Sequence, residues 1–169
     1  RELRELAFKA IPDAENSSLA FSVDARLVAF AGTTETVSVL EIATGRELYS
    51  VKTGSSKTPQ RVQFSADGRF LVTATENDAG ASMKLWDAPS GQLIRELKTS
   101  GDPPLNLRVI NFNRDGSMLA VVESGAKTIR IIDCATGLES RTLRTGTTDQ
   151  VTRDEQAAFI KTIDSKTRA

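Results

Sequence analysis

The chain of 169 residues contains no histidine, and only one cysteine, one tryptophan and one tyrosine. Each shortage removes a class of chemistry. Without histidine no Ser-His-Asp or Cys-His site can form within the chain, and no histidine-containing metal set. Cys134 by itself cannot make an internal disulfide or a multi-cysteine zinc site, which fits a reducing compartment, the cytoplasm by default. Charge of one sign is also missing: 22 basic residues balance 22 acidic ones, so no global field draws in nucleic acid or anionic lipid. No apolar run approaches the length of a membrane span, so neither a nucleic-acid nor a membrane partner is expected. The opening "RELRELAFKA" has no signal-peptide block and no initiating methionine, which leads us to expect a piece of something longer. The glycines of "ATG" and "PSG" lack phosphate-loop spacing and no helix follows them, so no cofactor is expected.

What is present suits a folded protein. Apolar residues make up 39% and charged ones 26%, and the length fits one ordinary domain. The informative signal is an internal repeat. "ATGREL", "PSGQLI" and "ATGLES" set Gly45, Gly91 and Gly137 at an even 46-residue interval. Ahead of them "TVSVLEI", "SMKLWDA" and "TIRIIDC" alternate apolar and polar residues, the period of a strand. Trp86 and Asp87 therefore correspond to Leu40 and Glu41, and to Ile132 and Asp133: an apolar position followed by an acidic one.

Further upstream, "LAFSVDARLVAF", "VQFSADGRFLVTA" and "INFNRDGSMLAVV" align Phe21, Phe64 and Phe112. Each is followed three residues later by Asp24, Asp67 or Asp115. Asp-Gly between alternating runs marks a tight hairpin; Ala25 replaces the glycine in the first copy and weakens that turn. A last strand, "RELYSVKT", "QLIRELKT" or "LESRTLRT", closes each copy. The spacing predicts units of four short antiparallel strands, a to d, and no helix. Leu3 and Leu6 stand at helical spacing, but "RELRELAF" matches strand d better.

A four-stranded unit of this length with a Trp-Asp mark resembles the WD-repeat β-propellers, over most of the chain. The fold expected is all-β: propeller blades of four antiparallel strands, three full and one partial at each end, as part of a larger ring. Residues 1–10 would be strand d of a preceding blade, 11–55, 56–101 and 102–147 the three blades, and 148–169 an incomplete next one. That last piece aligns either as strands a and b, with Phe159 as the marker, or as a strand c through "IKTIDSKTR". The copies are degenerate: the resemblance implies a histidine before strand a that joins the Trp, a Ser or Thr and an Asp, and this chain has none. Blades must then rely on apolar packing between sheets. Apolar end faces would need the remaining blades, from the parent chain or from another copy.

For chemistry, the aspartates fall one per blade at one rim, each explained by its own turn, and Glu41, Asp87 and Asp133 are read as strand-c terminators. Cys134 is read as a small turn residue. The loops from d to the next a and from b to c vary between copies, and the resemblance puts them on the face such propellers use for partners. Arg61, Arg108, Glu76, Asp78, Glu123 and Lys127 are its charged candidates. The expectation is a non-catalytic protein-interaction scaffold. The alternative is a regulatory segment of a multidomain enzyme, because "ATGREL" and "FSADGR" resemble bacterial repeats appended to caspase-like peptidases and Ser/Thr kinases. A catalytic site at the propeller axis is disfavoured by the missing histidine.

Overall fold

The computed structural model describes residues 18–31, 35–54, 59, 61–77, 80–97, 107–123 and 128–144. Twelve strands form three four-stranded sheets, and no helix occurs among the described residues. The first sheet holds β1 (Leu19–Phe21), β2 (Leu27–Ala31), β3 (Thr36–Glu41) and β4 (Glu47–Lys52). The second holds β5 (Arg61–Phe64), β6 (Phe70–Asn77), β7 (Gly80–Asp87) and β8 (Leu93–Leu97). The third holds β9 (Leu107–Phe112), β10 (Met118–Glu123), β11 (Thr128–Asp133) and β12 (Glu139–Arg144). Within each sheet, neighbours in sequence are neighbours in space and run antiparallel. These are three propeller blades.

The alternation dictates the packing. In a strand, successive side chains point to opposite faces, so each sheet has two apolar faces rather than one. One face of the first blade (Ala29, Ala31, Val37, Val39, Val51) packs against Val62, Phe64, Leu71, Trp86 and Ala88 of the second. The other face of the second (Val72, Ala74, Met83, Leu85, Leu97) packs against Ile110, Phe112, Leu119, Val121 and Ile132 of the third. We call the face turned to the preceding blade leading and the opposite one trailing. The core is thus a pair of seams between sheets. Burying each large apolar side chain there contributes about 1.5 to 3 kcal/mol.

The three phenylalanines share one register slot, opposite Val28, Leu71 and Leu119. Their environments differ. Phe64 and Phe112 are 7% and 8% exposed inside the two seams, whereas Phe21 is 62% exposed. The expectation of matching slots therefore holds for register and not for burial, because Phe21 lies on the leading face of the first blade. A register shift recurs at one position of every blade, between Val39 and Leu40, Leu85 and Trp86, and Ile131 and Ile132. A bulge bends the strand and re-aims its side chains. Here it falls where strand c delivers the Leu40, Trp86 or Ile132 side chain to the leading face.

Candidate interaction surface

The a-to-b hairpins are held by their own carboxylates. The Ser22 hydroxyl and the Arg26 amide donate to Asp24 Oδ1 at 2.7 and 3.1 Å. The Ser65 hydroxyl and Arg69 amide do the same to Asp67 at 2.6 and 3.1 Å. In the third blade the Ser117 amide donates to Asp115 Oδ1 at 2.8 Å. Hydrogen bonds from Ser22 hold the Asp24 carboxyl below its usual range, and bonds from Ser117 do so for Asp115. The turns after strand c repeat the device: Thr44 donates to Glu41 at 2.6 Å, Ser90 to Asp87, and the Thr136 amide to Asp133 at 2.7 Å. That amide bond lowers the Asp133 pKa. These carboxylates act as acceptors for backbone and hydroxyl groups, and among the described residues no three of His, Cys, Asp and Glu cluster as metal ligands.

Side chains of one blade also grip turns of the next. The Tyr49 hydroxyl, on β4, donates to the Ala88 carbonyl of the second blade. Arg95, at the same place on β8, donates to the carbonyls of Ala135 and Thr136 in the third. Burial pushes the Tyr49 pKa up to about 12, with the Asp87 carboxylate adding to it, so the phenol stays a donor. The gripped turns need glycine. Gly91 and Gly137 take φ of 71° and 69°, and a Cβ on either would stand 2.5 Å from the Tyr49 ring or from Arg95 Cδ. A second grip joins the hairpins: Arg69 pairs with Asp67 and reaches the Asp115 carbonyl at 3.4 Å, while its guanidinium lies over the Phe70 ring, which stacks on Phe112.

Two polar features escaped the sequence reading. The Trp86 indole donates to the Thr73 hydroxyl at 2.9 Å, both buried, so one bond joins Trp to a Ser/Thr in the second blade without any histidine. Phe30 and Val121 occupy the Thr73 place in the other blades, next to Leu40 and Ile132, which offer no donor. The second is the grip of Tyr49 and Arg95, whose one trace in the sequence is that Tyr49, Arg95 and Arg141 are long hydrogen-bonding side chains at one position of strand d. Cys134 is 1% exposed in the second seam. Burial, then the Asp133 carboxylate, raises its pKa to about 12, so the thiolate that reacts is scarce.

At the opposite rim stand the charged candidates. Arg61 opens β5, is exposed, and pairs across to Ala74. Glu76 pairs with Ala81, and Glu123 with Leu107 beside Arg108. Arg61 and Glu76 thus share one end of the second blade, and Arg108 and Glu123 the same end of the third. The side chains of Glu76, Arg108 and Glu123, and all of Asp78 and Lys127, lie outside the described residues. Four of the six, Arg61, Glu76, Arg108 and Glu123, are strand residues rather than loop residues, a correction to the sequence reading. The ladder between β6 and β7 runs as far as Asn77 and Gly80, so cross-strand bonding carries the strands past the weak β-propensity of Glu and Asn.

No family model matches the chain. It is similar to the small ribosomal subunit protein RACK1 of Medicago sativa, 30% identical over 118 residues, covering 61% of this chain and 34% of that protein. The small ribosomal subunit protein RACK1z of Oryza sativa subsp. japonica is 30% identical over 107 residues, 61% of this chain and 30% of that one. The chain thus spans about a third of the curated relatives it matches. Among solved structures it resembles the WD40 repeats of RRP9, with a TM-score of 0.64, 17% identity, and coverage of 79% of this chain and 40% of that one. It also resembles U3-55K, with a TM-score of 0.65, 18% identity, and coverage of 82% and 42%. Hydrazine synthase of Kuenenia stuttgartiensis shares the fold, with a TM-score of 0.63, 20% identity, and coverage of 82% and 38%.

Proposed function

The chain is built from WD-repeat β-propeller blades, and from that premise we propose that it is a non-catalytic scaffold that binds a protein partner. The observation that supports the reading is the division of labour in the blade. The carboxylates of the a-to-b and c-to-d turns, Asp24, Asp67, Asp115, Glu41, Asp87 and Asp133, are each occupied in fixing a hairpin or a strand end, and the grips fix blade to blade. What varies between copies are the d-to-a and b-to-c connections and the strand ends that carry Arg61, Glu76, Arg108 and Glu123. A rigid frame with variable ends is the arrangement in which recognition is separated from stability. Relatives named as ribosomal subunit proteins suit a part that works by being bound. In this reading the partner contacts that rim, with Asp78 and Lys127 extending it, and the setting is cytoplasmic.

Changing Arg61 and Arg108 together to Ala tests it. Binding of a protein partner, once captured and purified, weakens at least tenfold by calorimetry, while the circular dichroism and the melting temperature stay those of the parent chain. Alanine at all six candidate positions with partner affinity unchanged removes the rim from the proposal. Steady turnover of a substrate by the purified chain removes the scaffold reading itself.

A further inference from the structure

We propose that the outer corner of the blades, where strand c turns into strand d, is a second docking surface, at the rim opposite Arg61, and that it takes an amphipathic helix of a partner protein, aliphatic on one side and rich in lysine or arginine along its flanks. Among the described residues the large apolar side chains that stay exposed fall into two groups. Leu19, Phe21 and Val23 lie on or just after β1. Leu48, Leu93, Ile94 and Leu138, at 39%, 47%, 38% and 69% exposed, all follow a c-to-d turn glycine by one to three residues. A neighbouring blade does not cover this corner. The second blade has a described sheet on each side, yet Leu93 and Ile94 remain open. Leu48 and Ile94 hold the same slot, the residue left without a partner at the register shift, and are equally exposed although only Ile94 has a described blade in front of it. Nor does the fold ask for apolar residues here. Ser140 takes the slot of Leu48 and Ile94, Glu47 and Glu139 that of Leu93, and Arg46 and Gln92 that of Leu138. Exposed aliphatic side chains scattered singly need no explanation, but a contiguous group marks a contact surface.

The grips gather these four. Gly91 lies against the Tyr49 ring and Gly137 against Arg95. Leu48, next to Tyr49, is thereby brought beside the Gly91 to Leu93 stretch, and Ile94, next to Arg95, beside Leu138. Leu93 and Ile94 are consecutive, so the positions form one band from the first blade to the third. The charge along it is one-sided. Segments 41–48, 87–94 and 133–140 hold five carboxylates, Glu41, Glu47, Asp87, Asp133 and Glu139, and one cation, Arg46. Arg95, inside the band, spends its guanidinium on carbonyls of the third blade; Arg130 pairs with Glu139, and Arg141 lies past the far end. An acidic border favours a basic flank on the partner. The register shift at the start of each strand d interrupts the sheet edge, so an extended chain has no regular ladder to continue. A helix satisfies its own backbone and docks through side chains alone. Packed sheets stand about 10 Å apart and seven helical residues rise about 10.5 Å, so aliphatic residues at heptad spacing meet successive blades.

Fluorescence anisotropy with a labelled synthetic helix of about 18 residues, leucine at the heptad a and d positions and lysine elsewhere, reads the result. The chain binds this lysine peptide with micromolar affinity. The same helix with glutamate for lysine, and a lysine peptide with its leucines scrambled off the stripe, each bind at least tenfold more weakly. Ile94→Ser together with Leu138→Arg, residues that the equivalent slots of other blades already carry, weakens binding of the lysine peptide at least tenfold with unchanged circular dichroism. Leu48→Ser, again the residue of an equivalent slot, weakens it about threefold and carries the test alone if the double variant fails to fold. Absence of binding overturns the proposal, as does equal affinity for the glutamate or the scrambled peptide. Binding that a folded variant of this corner leaves undiminished overturns it as well.

Discussion

Three glycines with nearly one backbone conformation stand in three different surroundings, which allows the grip between blades to be weighed. Gly68, Gly91 and Gly137 have φ of 73°, 71° and 69°. A Cβ at Gly68 meets nothing within 4 Å, so Gly68→Ala carries only the backbone cost. An L-residue in the left-handed region costs roughly 1 to 2 kcal/mol, and the lower entropy of the unfolded alanine chain returns about 0.4 to 1, leaving a net loss near 1 kcal/mol. At Gly91 the same Cβ falls 2.5 Å from the Tyr49 ring, a rigid group packed in the first seam. The ring must move and its bond to Ala88 is lost, which adds roughly 0.5 to 1.5 kcal/mol for the bond and about as much for packing, or about 3 in all. Gly137→Ala presses on Arg95, whose flexible stem can shift, so its cost falls between, near 2 kcal/mol. Urea unfolding followed by the fluorescence of Trp86, the only tryptophan, reports all three. With a slope of about 2 kcal/mol/M the midpoints drop by roughly 0.5, 1.5 and 1 M respectively. In a Tyr49→Ala background, Gly91→Ala should cost only the backbone share, because the clash is gone. Equal losses at Gly68 and Gly91, or a Gly91 loss unchanged by removing Tyr49, would refute the grip.

Three further expectations follow from single groups. Thr73→Val leaves the Trp86 N–H without its acceptor inside the seam and costs about 1 to 3 kcal/mol in the same unfolding assay; a loss under about 0.3 shows the bond to be idle. Cys134 resists a thiol-specific reagent at neutral pH in the native chain and takes up one equivalent in urea; rapid native labelling would mean that the second seam opens on the timescale of the reaction. The carboxyls of Asp24, Asp115 and Asp133 are depressed by the hydrogen bonds from Ser22, Ser117 and the Thr136 amide. Their folded pKa values lie below their unfolded ones, so their stabilisation is complete above the unfolded values near pH 4 and is lost as pH falls through the folded ones. The urea midpoint is therefore flat from pH 7 to about 5 and declines below about 4; a gain in stability on acidification contradicts the assignment.

The repeat was readable because its determinants are local. Alternation over six or seven residues sets which side chains share a face, and Asp with Gly in the hairpins and Gly after strand c fix where the chain reverses. From Phe21, Phe64 and Phe112 one could place the first strand of each unit before any coordinates. Their burial was another matter. A side chain's slot is a property of its own sheet, whereas its cover is a property of the sheet next door, and Phe21 has the slot without the cover found at Phe64 and Phe112. The grips were hidden for the same reason. Tyr49 and Ala88 are 39 residues apart, and Arg95 and Thr136 are 41, each pair linking a strand to a turn of a different blade. Nothing within one copy says that Tyr and Arg at this position do the same work, because a phenol and a guanidinium share only reach and a donor.

The Trp86 case shows where a family expectation narrows and where it survives. The missing histidine implied blades held mainly by apolar contacts, and the two seams gather apolar side chains, mostly aliphatic with Phe64 and Trp86 in one and Phe70 and Phe112 in the other. Yet an indole cannot be buried for its area alone, since its N–H would be left unpaired at a cost of about 1 to 3 kcal/mol. The second blade answers with Thr73, and the others avoid the problem by placing Leu40 and Ile132 where the indole sits. Donor and acceptor are thus kept or dropped together, pair by pair. This coupling, rather than the count of consensus residues, decides which polar contacts a degenerate repeat can retain: a lone threonine opposite an aliphatic residue would be buried without a partner, and none of the three described blades contains one at that position.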